Sequence, residues 1–289
     1  MKVGIVYPQT EMNGNPEAVR EIALATESLG YSHLLFYDHV VGASHLDRNP
    51  KLSGPYTELD PFHDPFVALS YVSGITTHLE LATGVLILPQ RQTVLVAKQA
   101  ADLDLLSGER FRLGVGSGWN YVEYEALGQD FSARGDRMNE QIKFIRQLWS
   151  EPLSSFSGTY DSLDRGNINP RPNRAIPIWM GGFSPVAYRR AAEVGDGFIF
   201  AGLLEGERGA LNSWNNLKDM LKVNDRDEGT FGADIVMLAS KTVGETVDAI
   251  KRWRDVGGTH ASIVTMGMEL GPYKAHIDYI AEVKENLDV

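Results

Sequence analysis

The chain has 289 residues, 43% hydrophobic and 22% charged, a size and balance that suit a globular fold as large as one closed α/β barrel. Its 27 basic and 38 acidic residues leave a formal charge of -11, and no basic run exceeds Arg189-Arg190; that composition speaks against nucleic acid as a partner and for solubility. The absence of cysteine excludes disulfides, thiolate metal sites, iron–sulfur clusters and a cysteine nucleophile together.

From the N-terminus, "KVGIVY" (2–7) reads as a buried strand, and Pro8 follows too soon for a signal-peptide apolar region. A helix over 15–29 starts where Pro16 suits a first turn and stops at Gly30. "HLLFYD" (33–38) is the second strand, and residues 40–64 form a connection too long for an ordinary loop. Then come helix 65–77, strand "LELATGVLI" (79–87), helix 93–106, strand "RFRLGVGS" (110–117) and helix 134–149. A second long connection, 150–176, leads to strand "PIWMGG" (177–182) and helix 184–194. The last units pair strand 197–202 with helix 209–223, strand 234–240 with helix 243–256, and strand 260–266 with helix 272–287. Thr242 and Glu245 have capping-box spacing.

Eight strands, each followed by a helix, give the count of a (β/α)8 TIM barrel, with insertions after strand two and before strand five, spanning residues 1–289 as one domain. A doubly wound open sheet shares the same alternation. In a barrel, loops after strands lie on the catalytic face, so the 40–64 insertion is a candidate substrate wall. No apolar run approaches the roughly 20 residues needed to cross a bilayer, and the expected location is cytoplasmic.

Four constellations carry candidate chemistry. Asp38 and His39 end strand two, where a carboxylate and an imidazole can serve as orienter and proton donor or hydrogen-bond a heterocycle; capping a loop is the competing account. Gly114, Gly116 and Gly118 strip strand four before Trp119, Asn120 and Glu123, either for a tight turn or to admit a flat ring. The stretch lacks the GxGxxG spacing and the P-loop lysine. Gly181, Gly182, Phe183, Ser184 and Pro185 describe a bare backbone before a helix start, which fits either a phosphate or a simple turn. Gly84 inside strand three signals a bulge or the close approach of a ligand, with Arg91 beyond it. The histidines show no HxH or HExxH spacing, so no metal is expected, and no GxSxG elbow supports a serine hydrolase.

Taken in order, "YDHV", "VLVAKQAADLDLLSGERFRLGVGSGW", "VEYEALG", "ARGDRMNEQIKFIRQLWSEP" and "PIWMGGFSPVAYRRAAEVGDGFI" make the chain resemble the luciferase-like monooxygenase superfamily, particularly its branch using the deazaflavin coenzyme F420. The resemblance implies a TIM barrel with the flavin-like ring at the C-terminal mouth, Asp38 and His39 beside it, and a cis peptide at Gly84-Val85 propping its face. It places the cofactor phosphate at Gly181, Gly182 and Phe183. It implies hydride transfer between F420 and a small organic substrate, with His39 as proton donor or acceptor, Asp38 orienting it or bonding the ring, Trp119 as a substrate-side wall and Asn120 as a polar contact. An FMN-dependent monooxygenase with a separate reductase, and a non-catalytic flavin-binding barrel, are the alternatives. F420 has an acidic tail that calls for a basic exit near Arg91, Arg189 or Arg190. Sugar-phosphate dehydrogenases of this family carry a glutamate where this chain has Trp119. The family usually dimerises through helices two and three, which implies a homodimer.

Overall fold

The structure, a computed structural model, describes residues 1–206, 209–238 and 242–287. Eight parallel strands form its centre: β1 (Lys2–Val6), β2 (His33–Phe36), β3 (Glu80–Thr83), β4 (Phe111–Gly116), β5 (Ile178–Gly181), β6 (Gly197–Gly202), β7 (Gly232–Met237) and β8 (His260–Val264). Each pairs with its sequence neighbours, and β8 returns to β1 in register from Lys2 opposite His260 to Val6 opposite Val264. The sheet is closed, a TIM barrel rather than an open doubly wound sheet.

Outside it lie α1 (Pro16–Ser28), α2 (Pro65–Ser73), α3 (Thr93–Leu106), α4 (Arg134–Ser150), α5 (Pro185–Val194), α6 (Ala210–Val223), α7 (Val243–Asp255) and α8 (Tyr273–Leu287). Local chemistry starts them. Asn15, Asp64 and Ser184 accept helical amides from their N-cap positions, each followed by proline. Thr242 and Glu245 complete their capping box. Helix α2 ends at Ser73, short of the expected residue 77, because Gly74 closes it.

Strands β2 and β8 end two residues before their expected limits, at Phe36 and Val264, and β3 and β7 also depart from their expected spans. β3 stops at Thr83; the Gly84–Val85 peptide is cis, and the chain resumes as a short strand, Leu86–Ile87, beside Val115 and Gly116. β7 begins two residues early, at Gly232, and residues 239–240 of its expected span lie outside the described residues.

The main core fills the space between barrel and helices. A smaller apolar cluster, including Val6, Leu35, Ala82, Trp179, Ile199, Val236 and Val264, fills the barrel interior. The N-terminal end of that interior is polar. His33 and Asp234, both fully buried, share the hydroxyl of Ser262 at 2.8–3.0 Å. Arg112 lies 3.9 Å over the Trp179 ring and pairs with Glu80 at 3.1 Å and Asp234 at 3.5 Å. Gly232 lacks the side chain that would collide with Trp179 there.

The insertion before β5 folds as an antiparallel hairpin, Ser154–Ser157 with Ser162–Gly166. Phe156 stacks on Phe144 of α4 at 4.3 Å, and Glu140 accepts the amides of Thr159, Tyr160 and Asp161 at 2.7–2.8 Å. Asp161 accepts from Thr93, the first residue of α3, at 2.6 Å. The hairpin therefore climbs α4 to the outer edge of the C-terminal rim.

Candidate active site

At the C-terminal mouth, alternation along β2 sends Leu35 and Tyr37 into the barrel. Asp38 points the other way. It is 2% exposed, and its carboxylate accepts the Ile87 amide at 2.9 Å and a bidentate pair from Arg91 at 2.6 and 3.2 Å. Arg91 also donates to Asp64 at 2.9 Å, and Asp64 caps α2. Burial pushes the Asp38 carboxyl upward while Arg91 and the Ile87 amide pull it back. Burial likewise works against the Arg91 guanidinium, yet the two carboxylates raise it. Three donors converge on the Asp38 carboxylate. Asp38 fastens the end of β2 to the chain beyond the Gly84–Val85 bend.

The carboxylate beside His39 is that of Glu123. Its Oε2 lies 3.4 Å from His39 Nδ1, while its Oε1 accepts the amides of Val40 and, at 3.0 Å, Val41. Glu123 is 1% exposed, so a buried carboxylate holds both the imidazole and the first turn of the 40–64 insertion. The orienting contact expected from Asp38 is supplied by this residue instead. In a neutral imidazole, a carboxylate facing Nδ1 favours the Nδ1–H tautomer.

Asn120 is buried and committed locally. Its Oδ1 caps the short helix Tyr121–Ala126 through the amides of Val122 and Glu123, and its Nδ2 donates to the Val41 carbonyl at 3.2 Å. With Glu123 it clamps the start of the insertion.

The insertion folds back against His39. Tyr56 and Phe62 set their rings 5.3 and 4.9 Å from the His39 ring, and Trp119 stands 5.7 Å away on the β4 side. His45 meets Trp119 edge-on at 5.9 Å, and Gly54 passes so close to the indole that any side chain there collides with it. Tyr121 donates to the Pro50 carbonyl at 2.6 Å, tying the outer part of the loop to the β4 side.

The bare strand ends have a specific cause. A Cβ on Gly116 would come within 2.5 Å of Val85 Cγ2, and one on Gly181 within 2.8 Å of Val85 Cγ1. The Val85 isopropyl group fills the space the glycines leave. Gly116 thus acts through Val85, which with Tyr37, Ala201 and Met266 packs partly buried above the interior cluster. At the next strand end, Gly182 has φ +152° and Phe183 is 73% exposed. Ser184 Oγ accepts the Ala187 amide at 3.3 Å, so it serves as a helix cap.

Tyr56, Phe62 and Tyr37 are site residues that sequence reasoning did not single out, and Glu123 was named there without its partners. The signal for Tyr37 was available, since it is two residues beyond Leu35 on the same strand face. That for the partners of Glu123 was not, because they are 82 to 84 positions away. Among the described residues no group of His, Asp and Glu side chains is arranged to hold a metal ion, and no helix is long and apolar enough to cross a membrane.

Comparison with known proteins gives this mouth a context. An uncharacterised protein of Mycobacterium tuberculosis is 30% identical over 275 residues, 92% of this chain and 93% of its own length. The F420-dependent glucose-6-phosphate dehydrogenase of Amycolatopsis mediterranei is 31% identical over 206 residues, 69% of this chain and 57% of that protein. Among solved structures, a monooxygenase from Streptomyces bottropensis superposes with a TM-score of 0.81 at 17% identity, covering 99% of this chain and 98% of that one; that likeness concerns the fold. Residues 1–285 match the luciferase-like monooxygenase family, and the chain belongs to it.

Proposed function

We propose that the protein is an F420-dependent oxidoreductase that moves a hydride between the deazaflavin and a small organic substrate. The observation that carries this reading is His39, a proton-exchanging imidazole held by Glu123 at a barrel mouth walled by Tyr56, Phe62 and Trp119. The residues present fit a flat ring. Val85, Tyr37, Ala201 and Met266 offer an apolar floor, and Gly182 and Gly202, with φ of +152° and +113°, leave bare backbone at the ends of adjacent strands for a phosphate tail. In bound form the deazaflavin supplies two-electron hydride exchange.

The chain's own part is orientation and proton handling. His39 Nε2 gives or takes the substrate's proton while Nδ1 stays on Glu123. Trp119, Tyr56 and Phe62 shield that exchange from water. Asp38 acts through the backbone, holding the β2 end against the Gly84–Val85 bend. Exposed Val67, Tyr71, Val94, Leu95 and Leu106 on α2 and α3 support a homodimer through those helices.

One observation favours FMN as the cofactor. Of the three arginines expected to draw an acidic tail, Arg91 is spent on Asp38 and Asp64, and Arg190 is buried against Asn139 and the Gly135 carbonyl; only Arg189 is exposed. Titration of the pure protein with F420 and with FMN, followed by cofactor fluorescence, separates the two. Micromolar or tighter F420 binding is expected, and tight FMN binding with no response to F420 overturns the reading.

A further inference from the structure

We propose that the site beside the cofactor position selects a neutral, largely apolar molecule, and that Trp119, seated against Gly54, is its specificity-determining residue. The reaction on that molecule rests on the oxidoreductase reading above; the binding preference does not.

The wall is uniformly aromatic. Around His39 stand Tyr56, Phe62 and Trp119, with Tyr56 and Phe62 4.8 Å apart and His45 on the far edge of the indole. Among the described residues, cationic groups lie over the rings of Trp179, Phe131, Tyr160, Trp214, Phe231 and Tyr31. None lies over Trp119, Tyr56 or Phe62. The two cations of the insertion, Arg48 and Lys51, are exposed, and Arg48 Nε donates to the Ser44 carbonyl at 2.9 Å. Arg91 is committed to its carboxylates. The charged group recorded against His39 is the Glu123 carboxylate, of the wrong sign for a phosphate or carboxylate ligand. An anion entering here sheds its hydration with no counter-charge to replace it.

The rim is apolar as well. Val41, Phe183, Leu203 and Leu238 follow or end strands β2, β5, β6 and β7, and all are exposed. One such residue is ordinary, but several around one mouth mark a surface that handles apolar molecules. Trp119 supplies the largest face of the wall. Because any side chain at Gly54 collides with its ring, that glycine fixes where the indole stands. The glucose 6-phosphate in the Amycolatopsis relative's name is thus a ligand this mouth disfavours.

The test uses the full chain, with and without F420, and saturation-transfer NMR with cyclohexanone, glucose and glucose 6-phosphate as probes. Cyclohexanone is expected to bind about tenfold or more tightly than glucose 6-phosphate, the factor that one unpaired buried charge imposes. Trp119→Glu and Gly54→Val should each weaken cyclohexanone about tenfold, whereas Trp119→Phe, which keeps an apolar face, holds it within about threefold. Glucose 6-phosphate binding as tightly as cyclohexanone overturns the proposal. So does cyclohexanone binding that neither Gly54→Val nor Trp119→Glu alters. F420 fluorescence in the same samples separates the two readings. Cyclohexanone bound without F420 affinity sinks the cofactor assignment and leaves this inference standing; F420 bound with no cyclohexanone signal sinks this inference alone.

Discussion

Replacing Arg91 by methionine strands the Asp38 carboxylate, which is buried and keeps only the Ile87 amide as donor. Breaking a buried pair from one side costs about 3–5 kcal/mol. An unfolding entropy of about 2.1 cal/mol/K per residue gives this chain of 289 residues roughly 0.6 kcal/mol/K, so the melting temperature should fall by about 5–8 °C at pH 7. Asp38→Asn removes the charge but can still accept from Ile87. In that background, losing Arg91 uncovers only Asp64, whose side chain is 35% exposed, and should cost about 1 kcal/mol. The cycle should therefore show a coupling of about 2 kcal/mol or more. The sign with pH follows from burial, which already pushes the Asp38 carboxyl upward. Without Arg91 the folded state gains by keeping the proton, so the Arg91→Met penalty shrinks from pH 7 to pH 5. Thermal unfolding followed by circular dichroism at both pH values measures all four proteins. A melting point of Arg91→Met within about 1 °C of wild type refutes the structural role. Turnover abolished in Asp38→Asn with stability unchanged would instead place Asp38 on the cofactor ring.

Other expectations follow from the same contacts. His39→Ala should lower turnover about 100- to 10,000-fold with cofactor affinity within a few fold; steady-state rates beside a fluorescence titration test both halves. Glu123→Gln still accepts from Val40 and Val41 but presents an amide donor to His39 Nδ1, so kcat should drop about ten- to hundredfold with KM within about threefold. At the barrel base, burial raises the Asp234 carboxyl to about 6, so the folded state holds that proton and Asp234 adds stability as pH falls from about 6 to 4. His33 and His260 are held low by burial, His260 at about 2; their contribution is present above the unfolded value of about 6.5 and is lost as pH falls below it. Asp234→Asn should thus steepen the acid-side loss of stability between pH 6 and 4 in urea titrations; an unchanged slope refutes the assignment.

The barrel was legible because its signals are local. Prolines at 16, 65 and 185 and the Thr242–Glu245 box place helix starts within a residue or so, and continuous apolar runs mark the parallel strands. The interruption of β3 was legible from Gly84 alone. The wiring of the site was less so. Adjacency in sequence suggests that Asp38 serves His39, yet successive residues on a strand face opposite ways, and Asp38 faces Arg91 while Glu123, from the helix after β4, reaches His39. The glycines of β4 signalled close approach without identifying the intruders, which are the Thr83 carbonyl and Ile199 at Gly114 and the side chain of Val85 at Gly116. The hairpin at 154–166 escaped a reading by period because its strands are short and largely polar.

Val85 has a consequence for anyone wishing to reshape this barrel mouth. Its two methyl groups occupy the notches that Gly116 and Gly181 leave open, so a single branched side chain sets the depth of the cup. Trimming it to alanine deepens the site with no backbone rebuilding, at a cost of about 1–3 kcal/mol. Enlarging Gly116 or Gly181 instead drives a new side chain into the Val85 methyl groups. Combinatorial libraries aimed at bulkier substrates should therefore vary Val85 with both glycines kept fixed.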